Sequence, residues 1–227
     1  MATLLLFRHG ETDLTYGRYC GSSDPPLNDG GRGQAQRIRD LLLREGVAAI
    51  YSSPLRRVIE TAEPSARALG LEIEVVDRLR EADFGEWEGL TFAQARERDP
   101  DIWRRREADP YSVAPPGGEA YRDLLARVVP AFGELFARHP DEAIAVFAHK
   151  SVNRVFVANV LMMPVAYYRR IEFDPGALAI LRENDGRVEV LAVNESCHLG
   201  MSAGDRARRI AGADTARRAA ESGRLEG

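Results

Sequence analysis

Short apolar runs alternate with amphipathic stretches over the first third of the chain. Residues 3–8 contain the run Leu-Leu-Leu-Phe, which has a suitable length for a buried parallel strand. Residues 47–52 and 71–76 predict two more strands. Between the strands, apolar residues recur at helical spacing over 29–44 and 55–69. Strands that alternate with helices in this way predict a parallel sheet covered by helices on both faces.

The pattern changes over residues 78–119. This segment is rich in charged residues, contains Trp87 and Trp103, and ends in a Pro-Pro-Gly-Gly sequence. Long insertions between regular elements often carry function, because they can cover a site that a rigid sheet positions. We therefore expect a helical lid insertion at about residues 82–118.

Apolar periodicity returns after the insertion. It predicts a long helix at 119–137, a strongly apolar strand at 143–148 and a helix that continues to Leu161. Residues 177–183 and 187–194 flank an Asn-Asp-Gly turn and predict a terminal hairpin. The complete pattern predicts an α/β fold, a three-layer α/β/α arrangement with a mostly parallel central sheet and a helical lid insertion.

We expect residues 1–200 to form a single domain, because 227 residues with 44% hydrophobic content are enough for one good-sized core. Residues 201–227 contain mainly Ala, Arg, Gly and Glu, with almost no large apolar side chains. Such a segment cannot bury enough apolar surface to fold alone. The sequence therefore predicts a polar C-terminal tail.

The net charge argues against nucleic acid and anionic membranes as partners. A formal net charge of -4 offers no general attraction to nucleic acid or to an anionic membrane, so an anionic substrate must be captured by local positive charge. No apolar stretch reaches the ~20 residues that span a bilayer, and no signal peptide is visible. Cys20 and Cys197 lack the spacing of a metal site, which suggests reduced thiols. We expect a cytoplasmic protein.

Basic and imidazole side chains stand at the predicted ends of strands. Arg8 and His9 follow the first apolar run, and His149 follows the most apolar one. Arg57 lies in the first turn of the helix after the second strand, where a helix N-terminus already favours anions. Ligands bind outside the carboxyl ends of strands in open α/β sheets. These residues therefore predict an oxyanion site in which a guanidinium holds the charge and a histidine attacks or transfers a proton.

Each of these residues also has a simpler interpretation. A histidine at a strand end can merely cap the strand, and an arginine can be an ordinary exposed one, as we expect for Arg56. Two histidines and two arginines at similar strand-to-helix junctions favour chemistry over coincidence. The four histidines include no pair at metal-binding spacing, so the sequence predicts no metal site.

The segment Arg-His-Gly-Glu-Thr at 8–12 resembles the signature of the histidine phosphatase superfamily, the phosphoglycerate mutase-like proteins. Further segments resemble that family in the expected order, at 24–28 with 33–35, 52–57 with 60–62, 79–81 with 84–89, 117–119 and 148–149. Each motif is weak alone, but several in one order are specific. The resemblance covers about residues 3–195.

The resemblance implies a role for each strand-end residue. His9 would attack phosphorus and become a phosphohistidine. Arg8, Arg57 and His149 would hold the phosphoryl oxygens, which suits the negative charge on the equatorial oxygens of the transition state. A neutral imidazole is a competent nucleophile at pH 7, because a free histidine has a pKa of about 6.5.

Carboxylates complete the implied site. Glu81 would be the general acid that protonates the leaving oxygen and then activates water, with Asp83 as the nearby alternative. Glu11 and Glu119 are expected to act as supports. Glu11 would orient backbone or an arginine, and Glu119 would cap its helix or buttress Arg8.

Three further residues are expected to contact the substrate, and two of them depart from the family pattern. Thr15 stands where an asparagine is usual, and its hydroxyl can still donate one hydrogen bond. Lys150 follows His149 where a small residue is usual. Its ammonium either adds a contact, which would favour substrates with a second anionic group, or points away. Ser22 belongs to the glycine- and serine-rich loop that follows the first strand.

These features predict a phosphatase that hydrolyses small phosphate monoesters, similar to the broad-specificity members of the family and to the α-ribazole phosphatase type. The compact middle of the chain favours a phosphatase over phosphoglycerate mutase-type transfer, which stays an alternative. A second alternative is a catalytically weak module that binds phospho-ligands. The scheme requires no metal ion and no cofactor. The expected partner is a small phosphorylated metabolite, and pairing into a homodimer is left open.

Overall fold

The computed structural model describes residues 1–200, apart from the side chains at positions 165 and 166, and the predicted polar tail lies outside this part. The described residues form six strands, β1 (Ala2–Arg8), β2 (Ala49–Ser52), β3 (Ile73–Val75), β4 (Ala143–Ala148), β5 (Leu178–Asn184) and β6 (Arg187–Glu195). They also form six α-helices, α1 (Asp29–Glu45), α2 (Arg56–Leu69), α3 (Phe92–Arg98), α4 (Pro100–Ala108), α5 (Tyr121–Arg138) and α6 (Lys150–Val160).

All six strands belong to one sheet in the order β3-β2-β4-β1-β5-β6. The α/β fold class is confirmed, but the expectation of a mostly parallel sheet is partly wrong. The pairs β3–β2, β2–β4 and β4–β1 are parallel, whereas β1–β5 and β5–β6 are antiparallel. The sheet is therefore mixed.

The turn between β5 and β6 explains the antiparallel edge. Only Asp185 and Gly186 separate the two strands, and their φ angles are 51° and 77°. Positive φ at both central positions is the geometry of a tight hairpin turn, whose twist matches that of the flanking strands. A two-residue connection cannot return the chain parallel to itself, so β6 runs antiparallel to β5.

Helices cover both faces of the sheet because side chains along each strand alternate between the faces. In β1, Leu5 and Phe7 join a core cluster with residues of α1 and α2. Leu4 and Leu6 join a second cluster with residues of α5 and α6. The two clusters give the three layers that the apolar pattern predicts.

The segment predicted as a lid contains α3, α4 and a short 3-10 helix, Gly85–Trp87. Trp87 within it is fully buried, and its indole N–H donates to a carboxylate oxygen of Asp99 at 2.7 Å. This tryptophan is therefore part of the core rather than a surface that contacts substrate. Over residues 1–200, no helix is both long and apolar enough to cross a membrane.

Candidate active site

The sheet brings two histidines to the same edge. β1 and β4 are parallel neighbours in a register that pairs Arg8 with Ala148. His9 and His149 therefore leave the sheet side by side, and their ring centroids lie 5.3 Å apart. Both rings are buried. Because β2 pairs with the other side of β4, Arg57 on α2 reaches the same edge.

His9 is held in one tautomer by its own backbone neighbour. Its Nδ1 lies 2.7 Å from the carbonyl oxygen of Gly10. A carbonyl oxygen can only accept, so Nδ1 carries the proton and Nε2 keeps its lone pair. Burial, followed by the positive charges of Arg57 and Arg8, holds the pKa of His9 well below its ordinary value of 6.5. The ring is therefore a neutral imidazole at pH 7.

The loop after β1 is fixed by close backbone contacts. A Cβ at Gly10 would lie 2.8 Å from the carbonyl oxygen of Gly31 at the start of α1, so glycine is needed there. The Gly10 N–H donates to the hydroxyl of Thr61 on α2 at 2.9 Å. Glu11 contacts the N-cap residue of α1, since its carboxylate accepts from the side chain of Asn28 at 3.3 Å. These contacts set the direction in which His9 enters the site.

His149 has the opposite tautomer. Arg57 donates to Nδ1 across 3.3 Å, so the proton of the neutral ring resides on Nε2, which donates to the hydroxyl of Ser53 at 2.8 Å. Burial is the main reason that the pKa of His149 is held well below 6.5, and the charge of Arg57 adds to it. Ser53 directly follows β2 and orients the ring. Ser53 was not among the residues predicted for the site, although it stands at a strand end, the same signal that identified the histidines.

The two buried guanidiniums each bind backbone carbonyls. Arg57 donates to the carbonyl oxygens of Ser23 at 2.5 Å and Gly21 at 3.1 Å. Arg8 donates to the carbonyl oxygen of Phe173 at 2.7 Å. The Nε–H of Arg8 and that of Arg57 are both buried, and neither has a hydrogen-bond partner within residues 1–200. Burial also lowers the pKa of Arg8.

Glu81 lies against the start of the helix that follows His149. One carboxylate oxygen accepts the backbone N–H of Ala82 at 2.8 Å, and the other accepts that of Ser151 at 3.2 Å. Glu81 is buried, whereas Asp83 is exposed and accepts the N–H of Gly85 at 2.8 Å within a turn. The geometry therefore favours Glu81 over Asp83 as the carboxyl group of the site.

Lys150 forms an ion pair at the edge of the site. Its Nζ lies 3.0 Å from the carboxylate of Glu172, which also accepts from Arg154 at 2.6 Å. Burial, followed by the positive charges of Arg8 and Arg154, lowers the pKa of Lys150 to about 8. The ammonium is therefore close enough to Arg8 for the two positive charges to interact, and it is paired with the carboxylate of Glu172.

Thr15 and Ser22 occupy loops beside the histidines. The hydroxyl of Thr15 accepts the N–H of Thr12 at 2.7 Å and lies 3.1 Å from the Thr12 hydroxyl, so it closes a local turn. Ser22 is exposed, and its N–H donates to the carboxylate of Glu88 at 3.3 Å. Glu88 also accepts the N–H groups of the two flanking residues. Glu88 was not predicted to anchor this loop.

Glu119 supports a different residue from the one expected. It forms a bidentate ion pair with Arg127, at 2.8 Å and 2.9 Å, and not a contact with Arg8. It does not cap α5 either, because that helix begins at Tyr121 and Asp123 accepts the N–H of Ala120 at its start. The sequence places Arg127 on the helix without any signal that it has a role.

Within the described part of the chain, no group of three or more His, Cys, Asp or Glu side chains is arranged to hold a metal ion. The positive charge beside His9 comes from Arg8 and Arg57. The arrangement is thus a neutral imidazole with an available lone pair, flanked by two guanidiniums, a second imidazole and a carboxyl group.

The model of the histidine phosphatase superfamily (branch 1) matches residues 4–196. A bifunctional protein of Mycobacterium tuberculosis is 39% identical over 199 residues, which cover 86% of this chain but 54% of that protein, so the chain spans about half the length of such relatives. Phosphoserine phosphatase 1 of Hydrogenobacter thermophilus is 32% identical over 201 residues, 88% of this chain and 95% of that protein.

A solved structure shares the fold. The mycobacterial glucosyl-3-phosphoglycerate phosphatase in complex with VO3 superposes with a TM-score of 0.77 at 32% identity, and the match covers 86% of this chain and 99% of that one. The family match begins within β1, extends past the end of β6 and includes the insertion and both histidines. The chain belongs to the histidine phosphatase superfamily.

Proposed function

We propose that the protein is a phosphatase that hydrolyses small phosphate monoesters through a phosphohistidine on His9. The observation that carries this proposal is the state of the His9 ring. Its Nδ1–H is donated to Gly10, which leaves the Nε2 lone pair for attack, and its pKa is held low by burial, Arg57 and Arg8. A neutral imidazole beside two guanidiniums suits nucleophilic attack on a dianionic phosphoryl group.

In the first step, His9 Nε2 attacks phosphorus, a P–N bond forms and the ester P–O bond breaks. Glu81 in its protonated form gives its proton to the leaving oxygen, so the alcohol departs neutral. Arg8 and Arg57 supply the positive charge and N–H donors for the phosphoryl oxygens. His149 was expected to hold these oxygens as well, but its Nε2–H is donated to Ser53 and its Nδ1 accepts from Arg57, so its role is to orient Arg57. The buried and unpaired Nε–H groups of Arg8 and Arg57 support this assignment, since such groups require an acceptor.

In the second step, water attacks phosphorus and the P–N bond breaks. The Glu81 carboxylate takes a proton from the water, so the acid is regenerated and His9 returns to its neutral state. Inorganic phosphate is then released. This scheme assigns the charge stabilisation to arginine side chains and uses no metal ion or cofactor.

The substrate class is a finer part of the proposal. Two of the relatives named above are a phosphoserine phosphatase and a glucosyl-3-phosphoglycerate phosphatase. Lys150 is the only lysine in the sequence and stands directly after His149. Its ammonium lies near the guanidinium of Arg8 and is paired with Glu172. A second anionic group on a substrate would compete with Glu172 for this ammonium. We assign Lys150 to substrate binding on this basis, with Ser22 in the loop that Arg57 holds. Thr15 stays a prediction.

We also propose a domain organisation, a cellular location and a class of partner. Residues 1–200 would act as one domain, with residues 82–118 as a lid. The protein would work in the cytoplasm on a small metabolite, without nucleic acid or membrane as a partner.

The experiment is a phosphate-release assay with p-nitrophenyl phosphate and a panel of phosphoamino acids, phosphoglycerates, sugar phosphates and nucleotides. His9→Asn should abolish release and prevent formation of an acid-labile phosphoenzyme. The matched control is His139→Asn, since His139 pairs with Tyr51 and Glu142 before β4 rather than after it. Activity that survives His9→Asn would defeat the proposal. Interconversion of phosphoglycerates without net phosphate release would show a mutase, and tight binding without turnover would show a binding module.

A further inference from the structure

Arg127 uses its whole guanidinium on the segment that carries Glu81. Its Nε donates to one oxygen of Glu119 at 2.8 Å, and an Nη donates to the other at 2.9 Å. The remaining donors bind the carbonyl oxygens of Arg78 at 2.7 Å, Arg80 at 2.8 Å and Glu81 at 3.0 Å. Arginine has five N–H donors, and five bonds are made here.

The segment needs these donors because it is irregular. The short 3-10 helix Asp77–Leu79 ends just before Glu81, so the carbonyls of 80 and 81 have no continuing helix to accept N–H groups. Backbone carbonyls are strong acceptors, and Arg127 supplies donors for these three. Glu119 fixes the other flank, since its N–H donates to the carbonyl oxygen of Asp83 at 2.8 Å. The backbone is therefore held on both sides of Glu81.

The ion pair of Arg127 and Glu119 has no net charge, so it affects the position of the backbone rather than the charge of the site. Arg127 and Glu119 are both largely buried and neutralise each other. The Glu81 carboxyl is fixed by the amides of Ala82 and Ser151, and the backbone that carries it is fixed by Arg127. A displacement of about 1 Å can cost 10²-fold in rate, so the position of this backbone matters for proton transfer.

We propose that Arg127, clamped by Glu119, is the positioning residue for the general acid Glu81. The inference rests on the proposed function, in which Glu81 protonates the leaving oxygen. Arg127 does not touch the reacting atoms. It sets the place from which the carboxyl group delivers its proton.

The leaving group provides the test. An alkoxide needs a proton as it departs, whereas p-nitrophenolate leaves without one. We expect Arg127→Met to lower kcat/KM for an alkyl phosphate such as phosphoserine by about 10- to 100-fold, the range expected when a general acid is displaced. For p-nitrophenyl phosphate, kcat/KM should change far less. Because kcat/KM reports the steps up to departure of the leaving group, the later hydrolysis of the phosphoenzyme does not obscure the comparison.

Further variants separate position from stability. Arg127→Lys keeps the charge but loses the planar fork, and Glu119→Gln keeps the fork but weakens its anchor, so both should show the same leaving-group dependence to a smaller degree. They also replace Arg127→Met if that variant fails to fold. The matched control is Arg138→Met, which removes an arginine of the same helix that forms a bidentate pair with Glu74. It should leave the ratio of the two kcat/KM values unchanged.

Equal losses of kcat/KM for both substrates, or an unchanged ratio in every folded variant, would overturn the inference and leave Arg127 a structural residue. Glu81→Gln identifies which proposal has failed. If Glu81→Gln shows the leaving-group dependence and the Arg127 and Glu119 variants do not, only the positioning role is wrong. If Glu81→Gln does not show it, the general-acid role of the proposed function is wrong, and the role of Arg127 falls with it.

Discussion

The carboxylate of Glu81 accepts the backbone N–H of Ser151 at 3.2 Å, which ties the segment leading into the insertion to the helix that follows His149. The two partners are 70 positions apart in the sequence. Because His149 and Ser151 are two positions apart at the start of α6, the contact holds the proposed acid beside the histidines. Ala82, whose N–H donates to Glu81, is the first residue of the insertion. A displacement of the insertion would therefore also displace the Glu81 carboxyl group.

The two histidines should have opposite tautomers in solution. The contacts with Gly10 and Ser53 place the proton on Nδ1 of His9 and on Nε2 of His149. Both pKa values are held below 6.5, so both rings should stay neutral at pH 6. Two-bond ¹⁵N–¹H NMR correlations of the rings report tautomer and charge directly, and His9→Asn and His149→Asn assign the signals. A protonated His9 ring at pH 6 would contradict the proposed nucleophile.

The same lowered pKa values predict the pH dependence of stability. An unfolded histidine binds a proton below about pH 6.5, whereas buried His149 does not, so the unfolded state binds more protons in acid. The free energy of unfolding should therefore fall as the pH drops below 6.5, by about 1.4 kcal/mol per pH unit for each such histidine. Above pH 7 this contribution is constant.

Urea denaturation between pH 5 and pH 7.5 measures this slope. His149→Gln removes one group that binds a proton on unfolding. The slope of the free energy of unfolding against pH should therefore be smaller by about 1.4 kcal/mol per pH unit in the acid range. His139→Gln is a control at a histidine outside the site. An identical slope for wild type and His149→Gln would show that His149 is not buried in its neutral form.

Ser53→Ala should reduce activity by disturbing the orientation of His149. The variant leaves the Nε2–H of a buried imidazole without its acceptor at 2.8 Å. Leaving such a donor unpaired costs about 1–3 kcal/mol, so a loss of kcat on the order of tenfold is expected, with a lower thermal midpoint. Ser65→Ala is the matched control, since its buried hydroxyl has no partner within residues 1–200. Unchanged kcat in Ser53→Ala would remove Ser53 from the site.

Lys150→Gly should change substrate preference. If the ammonium binds a second anionic group, kcat/KM should fall roughly tenfold or more for phosphoserine or phosphoglycerate, since a hydrogen bond to a charged group contributes about 1.5–3 kcal/mol. Activity with p-nitrophenyl phosphate should be retained. Lys150→Arg keeps the charge and should retain most of the preference. An unchanged preference in Lys150→Gly would mean that Lys150 serves only to pair with Glu172.

Local patterns in the sequence were sufficient for most of the elements. Period-two alternation in β1 places Leu4 and Leu6 on one face and Leu5 and Phe7 on the other, because successive side chains of a strand point to opposite sides. A strand that ends at Arg8 necessarily delivers His9 to the sheet edge. The hairpin turn at Asp185 and Gly186 was likewise readable, because only a few residues tolerate its backbone angles.

Contacts between distant residues were decided by the tertiary structure. The sequence does not determine that β4 lies between β1 and β2, yet this order alone brings Arg57 to His149, 92 residues away. It does not reveal that β5 adds antiparallel to β1, or that Glu119 pairs with Arg127 instead of Arg8.

By itself, the sequence determined the alternation of strands and helices, the faces that they bury and the kinds of side chain that stand at the strand ends. These depend on backbone geometry and side-chain periodicity, which act over a few neighbouring residues. The tertiary structure decided which of those side chains meet, which tautomer each histidine adopts and which carbonyls each arginine binds. Such outcomes depend on distances and burial across the whole fold, and nearest-neighbour patterns do not contain them.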